Sequence, residues 1–99
     1  MEDHKFIIII DGAKFEDKSE FYNHIQALFT NDLDWNIGPN LDAFHDILQG
    51  GFGKFAIHEP IKIIWINYKR SEEVLGTAYI EKLLSIIKEQ KHISLALVD

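Results

Sequence analysis

Residues 5–11 read KFIIIID, an unbroken apolar run that ends in Asp-Gly. Four consecutive isoleucines, Ile7 to Ile10, are β-branched and stiff at χ1, which favours a strand over a helix. The run does not alternate, so a strand built from it is apolar on both faces, the pattern of a parallel sheet covered by helices. Residues 61–67 (IKIIWIN), which follow Pro60, and residues 93–98 (ISLALV) read the same way. All three runs have strand length, and none alternates cleanly enough for a half-exposed sheet.

Helical patterns separate them. Asp17 can cap a helix, with Glu20 three residues on completing a capping box, and Phe21, Ile25, Leu28 and Phe29 then recur at helical spacing. A polar loop over residues 30–39 contains Trp35. A second helix runs from about Asn40 to Gln49 and stops at Gly50-Gly51. After a polar turn at residues 67–70, residues 71–75 form one short helical turn ended by Gly76. Thr77 is a good N-cap for a last helix that reaches about Gln90. The order β-α-α-β-(α)-α-β demands crossover connections and hence parallel pairing. The expected fold is α/β: a single three-layer domain over residues 1–99, with a three-stranded parallel sheet covered by about four helices.

At 99 residues the chain is one domain by size, and its hydrophobic content, 46%, supplies a core. The absence of cysteine removes disulfides, thiolate metal sites and a thiol nucleophile, and fits a reducing compartment. The start, MEDHK, lacks the basic segment and long apolar stretch of a signal peptide, and no run approaches a membrane span. A cytoplasmic protein is the expectation. The net charge of −6 argues against nucleic acid as a direct partner, since phosphate binding needs clustered Lys and Arg. Residues 19–53 hold no Lys or Arg but carry Glu20, Asp32, Asp34, Asp42 and Asp46. Such a stretch is either a solvated acidic surface or a face built for a cationic partner.

The second helix sharpens that choice. At 100° per residue, Leu41, Ala43, Phe44, Ile47 and Leu48 fill one half of the wheel, and Asp42, His45, Asp46 and Gln49 fill the other. The apolar half faces the core, so two carboxylates one turn apart face outward. Like charges at this spacing cost about 0.2–0.5 kcal/mol. Asp42, in the first turn, is helped by the helix dipole; Asp46 is not, and Asp is a poor residue in a helix interior. A local rule broken without local compensation points to function.

Residues 38–48, GPNLDAFHDIL, resemble the signature of the barstar family, Gly-x-Asn-Leu-Asp-Ala-Leu-Trp-Asp-x-Leu. They depart from it at Phe44, an apolar exchange, and at His45, where the family's namesake has Trp. The layout is similar as well: a short apolar strand and glycine at the start, a helix and apolar strand at the end. The resemblance implies a bacterial intracellular ribonuclease inhibitor or antitoxin, monomeric when free. Such a protein plugs the active site of a small basic ribonuclease with an aspartate in place of an RNA phosphate. By motif position, Asp46 matches the dominant aspartate and Asp42 its helix partner, while Asn40 and Gly38 match the helix start and the preceding loop. Where the namesake has an aromatic contact, Asn36 stands here, with Trp35 beside it as a substitute. His45 and Gln49 complete the expected contact face. On the last helix, the position of a family glutamate falls on Ser85, with Glu81 and Glu89 a turn away on either side. These departures favour a related ribonuclease, or a ribonuclease-like toxin, over the namesake's own target.

Other features bear different readings. Gly50-Gly51-Phe52-Gly53-Lys54 is faintly like a phosphate loop, but it follows a helix and lacks the Ser/Thr; a helix stop and turn explains it better. His4, His24, His45, His58 and His92 show no paired zinc spacing, and no metal or cofactor is expected. His45, between two aspartates, reads either as ordinary helix surface or, in a functional role, as a contact residue beside Asp46. Trp65 and Tyr68 read as core and rim packing, and Trp35 as either core cover or interface anchor. Two other functions are open: the same fold binding a different basic protein as an immunity protein, and a small enzyme using Asp42, Asp46 and His45. Against the enzyme, the face has no cations for RNA chemistry, and helix-surface aspartates seldom line a cleft in so small a domain.

Overall fold

The computed structural model describes residues 6–30, 40–50, 56 and 58–99. Strands β1 (Phe6–Asp11), β2 (Ile61–Ile66) and β3 (Ile93–Leu97) form one parallel sheet in the order β1-β2-β3. Helices α1 (Lys18–Phe29) and α2 (Leu41–Gln49) connect the first two strands, and α3 (Tyr68–Leu75) and α4 (Thr77–Glu89) the last two. The α/β class, the parallel sheet and, among the described residues, four helices are as the periodicity predicts.

Among the described residues the core gathers on one face of the sheet. Ile8 and Ile10 on β1 align with Ile63 and Trp65 on β2, and all four are buried. The opposite face carries Ile7 and Ile9, 62% and 48% exposed. The reason is topological. Parallel crossovers are right-handed, and two such crossovers stepping in the same direction across a sheet place their helices on the same side. Four adjacent isoleucines conceal this, because a run with no alternation does not say which residues point inward.

The boundaries of the later helices also differ. The third helix begins at Tyr68, a turn earlier than its polar sequence suggests, because Asn67 (φ 53°) adopts the left-handed conformation that Asn tolerates. Gly76, not Thr77, caps α4: its φ of 88° lies where a side chain is strained, and its carbonyl accepts the Ile80 N–H at 3.0 Å. At α1 half of the expected capping box forms, with Asp17 Oδ1 accepting the Glu20 N–H at 2.8 Å; Glu20 Oε1 reaches past the cap and accepts the Glu16 N–H at 2.8 Å instead of Asp17's.

Trp65 organises the core. Its ring stacks on Phe21 at 5.8 Å, meets Tyr68 edge-on, and its indole N–H donates to the buried Ser71 hydroxyl at 2.8 Å. The hydroxyls of Tyr22 and Tyr79 meet at 2.7 Å and tie α1 to α4. Burial, then this bond, pushes the Tyr22 hydroxyl's pKa up.

The carboxyl end of the sheet, where α/β folds commonly place ligands, is filled by the protein itself. Arg70 donates to the carbonyls of Gly12 (2.6 Å) and Phe15 (2.9 Å) and grips both carboxylate oxygens of Glu16. Gly12 sits so close to α3 that a Cβ there would lie 2.2 Å from the Asn67 carbonyl oxygen, which is backbone and has no room to yield.

At the same end, the Asp11 N–H donates to His24 Nε2 at 3.2 Å, so the imidazole serves as the acceptor. Burial, the largest influence, lowers the His24 pKa below its ordinary 6.5; Lys14 acts in the same direction and Asp11 partly offsets it. The native state therefore binds fewer protons at this ring than the unfolded chain. Its stabilising contribution is full above the unfolded value near ~6.5 and is lost as pH falls through the lower native value. The urea midpoint should accordingly fall on acidification from about pH 7 to 5, and His24→Gln, which keeps an acceptor, should flatten that dependence. Asp11 leaves this window clear, because its own carboxyl is held below 3.8 by the Ala13 N–H and Asn67. An unchanged slope in His24→Gln would assign the proton uptake elsewhere.

Candidate partner-binding site

The second helix behaves as its wheel requires. Phe44, Ile47 and Leu48 are buried, and Leu41 and Ala43 pack against the same core. Asn40 caps the helix with extended backbone, its Oδ1 accepting from the Asp42 N–H (2.8 Å) and the Ala43 N–H (3.3 Å). That side chain satisfies two of the amides that a helix start leaves open. At the other end Gly50 terminates the helix, its N–H donating to the Ile47 carbonyl at 3.1 Å. The Gln49 carbonyl accepts the His58 N–H at 2.8 Å, so both ends of α2 are fixed.

On such a rigid element the outward carboxylates have little freedom of placement. Asp42 is exposed. Asp46 is 69% exposed at its side chain, and its neighbour His45, 40% exposed, brings Nδ1 to 3.6 Å from Asp46 Oδ1. Gln49 is half-buried at the end of the same face. Asp42 and Asp46, one turn apart, have Cβ atoms about 5–6 Å from each other. Among the described residues neither carboxylate pairs with Lys or Arg, whereas Arg70 and Lys69 are engaged with Glu16 and Asp99. The helix thus holds two exposed carboxylates outward over a buried apolar base. Asn40, Asp42, His45, Asp46 and Gln49 are brought together on it; Trp35, Asn36 and Gly38 lie outside the described residues.

The two glutamates of α4 separate in space. Glu81 acts on Tyr68, whose hydroxyl is pushed up first by burial and then by Glu72, Glu81 and Asp99. Glu89 instead lines a cleft with His58, Gln90, Lys91 and His92, and His92 hydrogen-bonds the Leu48 carbonyl near the end of α2. Glu89 is therefore the α4 carboxylate beside α2. No local pattern in the sequence distinguishes the two, because both are exposed positions of one helix.

The family model for barstar (barnase inhibitor) matches residues 5–94. The chain belongs to the barstar family. The match spans β1 through the first part of β3, and so includes all four helices of the barstar-like layout. No curated protein matches the chain. Barstars are inhibitors of ribonuclease, which makes another protein the expected kind of partner. Among the described residues no helix is long and apolar enough to cross a membrane.

Proposed function

We propose that this protein inhibits a small basic ribonuclease, inserting the acidic face of α2 into the enzyme's active site. The observation that carries this reading is the pair Asp42 and Asp46, exposed and, among the described residues, without a Lys or Arg partner, on a helix whose other side is buried. A ribonuclease active site is a concave surface lined with cations for a phosphate. A convex helix offering carboxylates at fixed spacing is its complement in shape and in charge. Asn40 sets the start of the helix and so the position of Asp42; Asp46 takes the place of a phosphate. His45 stands beside Asp46, and Gln49 extends the contact face. Because α2 is anchored at both ends, little conformational freedom is lost on binding. The partner's identity follows the departures from the family signature: His45 in place of Trp favours a related ribonuclease or ribonuclease-like toxin. Action within the cytoplasm belongs to the same proposal.

Inhibition of a barnase-type ribonuclease at increasing salt tests it. Nanomolar inhibition is expected, with an association rate that falls steeply, about tenfold or more, between low and high ionic strength as screening weakens the steering. A complete lack of inhibition at micromolar protein rejects this class of enzyme as the target. Tight inhibition that ignores salt rejects the acidic helix as its cause.

A further inference from the structure

We propose that His58 and His92 form a two-imidazole site for a divalent transition-metal ion of borderline softness: zinc, nickel or copper. The two rings are tilted at 47° to each other, with centroids 5.2 Å apart. With metal–nitrogen bonds of about 2.0–2.1 Å, two imidazoles sharing one ion place their centroids about 4.5–5.3 Å apart.

The hydrogen bonding of His92 leaves one ring nitrogen available as a ligand. A carbonyl oxygen only accepts, so the 2.8 Å contact between His92 Nε2 and the Leu48 carbonyl makes Nε2 the N–H donor. In the neutral ring Nδ1 then carries the lone pair. Donation of the second ring nitrogen to a backbone carbonyl is the arrangement that orients metal-bound histidines. His58 is held as firmly: its backbone is left-handed (φ 60°), and its N–H is bonded to the Gln49 carbonyl at 2.8 Å. A non-glycine residue kept in that conformation is the kind of local strain that gathers at ligand sites.

The surroundings suit a cation. Both rings line an open cleft of about 340 Å³, together with Glu89, Gln90 and Lys91. The C-terminal ends of α2 and α4 meet there, through the Leu48 carbonyl and through Glu89 and Gln90, and helix C-termini carry partial negative charge. Glu89 adds a full negative charge, and Lys91 opposes it. Among the described residues no three His, Asp or Glu side chains stand together as a ready-made metal group. The site is therefore two imidazoles with water in the remaining positions, and imidazole ligation selects zinc, nickel and copper over magnesium or calcium. An ion bound there links β3 and the strand-entry turn to the end of α2.

The test is titration of tag-free protein with each metal chloride, read by calorimetry and thermal melting, with nitrogen hyperfine structure recorded for the copper form. One ion per chain is expected, with two coordinated nitrogens and a melting point raised by about 5 °C or more at tenfold excess over Kd. His92→Gln keeps a donor for the Leu48 carbonyl, and His58→Asn suits the left-handed backbone; each should abolish the response, while Asp46→Asn should keep it. No stoichiometric binding at millimolar metal, or binding unchanged in both histidine variants, overturns the proposal. No ribonuclease enters the measurement, so failure here leaves the inhibitor reading untouched.

Discussion

Asp46→Ala should weaken binding to a barnase-type ribonuclease by about 30- to 4,000-fold, the range for truncating one member of a desolvated, hydrogen-bonded charge pair, ~2–5 kcal/mol. Most of the loss should appear in the dissociation rate, because a cationic pocket built for phosphate is left facing a methyl group. Asp46→Asn, which keeps the shape and removes the charge, should recover little of it. Asp42→Ala should cost less, since Asp42 sits in the first turn and only flanks the dominant group. The folded protein should respond in the opposite sense. Asp46 is exposed and has no Lys or Arg partner among the described residues. Its removal relieves repulsion with Asp42, ~0.2–0.5 kcal/mol, and replaces a poor helix residue with the best one, a gain of roughly 0.5 kcal/mol. A variant that melts slightly higher and inhibits far less is the signature of a residue kept for its partner. If inhibition survives Asp46→Ala, the anchor is a different residue.

Trp65→Ala carries the largest expected loss of stability. The side chain is fully buried between Phe21 and Tyr68, and its indole N–H satisfies the Ser71 hydroxyl, itself buried. Truncating a core Trp to Ala costs about 3–5 kcal/mol, and the orphaned hydroxyl adds about 1–3 kcal/mol. A domain of this size holds about 5–15 kcal/mol in total, so the variant should be marginal or unfolded at room temperature. Trp65→Phe fills most of the space and should lose mainly the Ser71 bond; the double variant Trp65→Phe with Ser71→Ala should regain part of that loss. Urea unfolding followed by far-ultraviolet circular dichroism measures all three. A midpoint for Trp65→Phe equal to that of the parent would show that the indole–hydroxyl bond contributes nothing net.

The contrast between these two residues bears on how much of the site was legible. The α2 face could be read directly because a helix wheel is a local property: nine residues decide which side is apolar, and Asn40 and Gly50 mark the ends by their own backbone chemistry. The strain of Asp46 in that pattern was likewise visible without any neighbour. Glu89 and Glu81 could not be told apart, since which flank of α4 adjoins α2 depends on how the helices pack. His58 and His92 looked unrelated, because they lie in separate turns and only the parallel pairing of β2 with β3 brings those turns side by side.

By itself the sequence determined three strands, the helices between them, their parallel pairing and the acidic face of α2, all consequences of short-range periodicity and capping. Tertiary structure alone decided which face of the β1 isoleucine run is buried, where α3 begins, how closely Gly12 approaches Asn67, and that two histidines share a cleft. The physical reason is common to all four. Strand order, crossover handedness and the contact of distant backbone segments are properties of the closed chain. An isoleucine run apolar at every position is compatible with either face inward, until the right-handed crossovers set both pairs of helices on the same side.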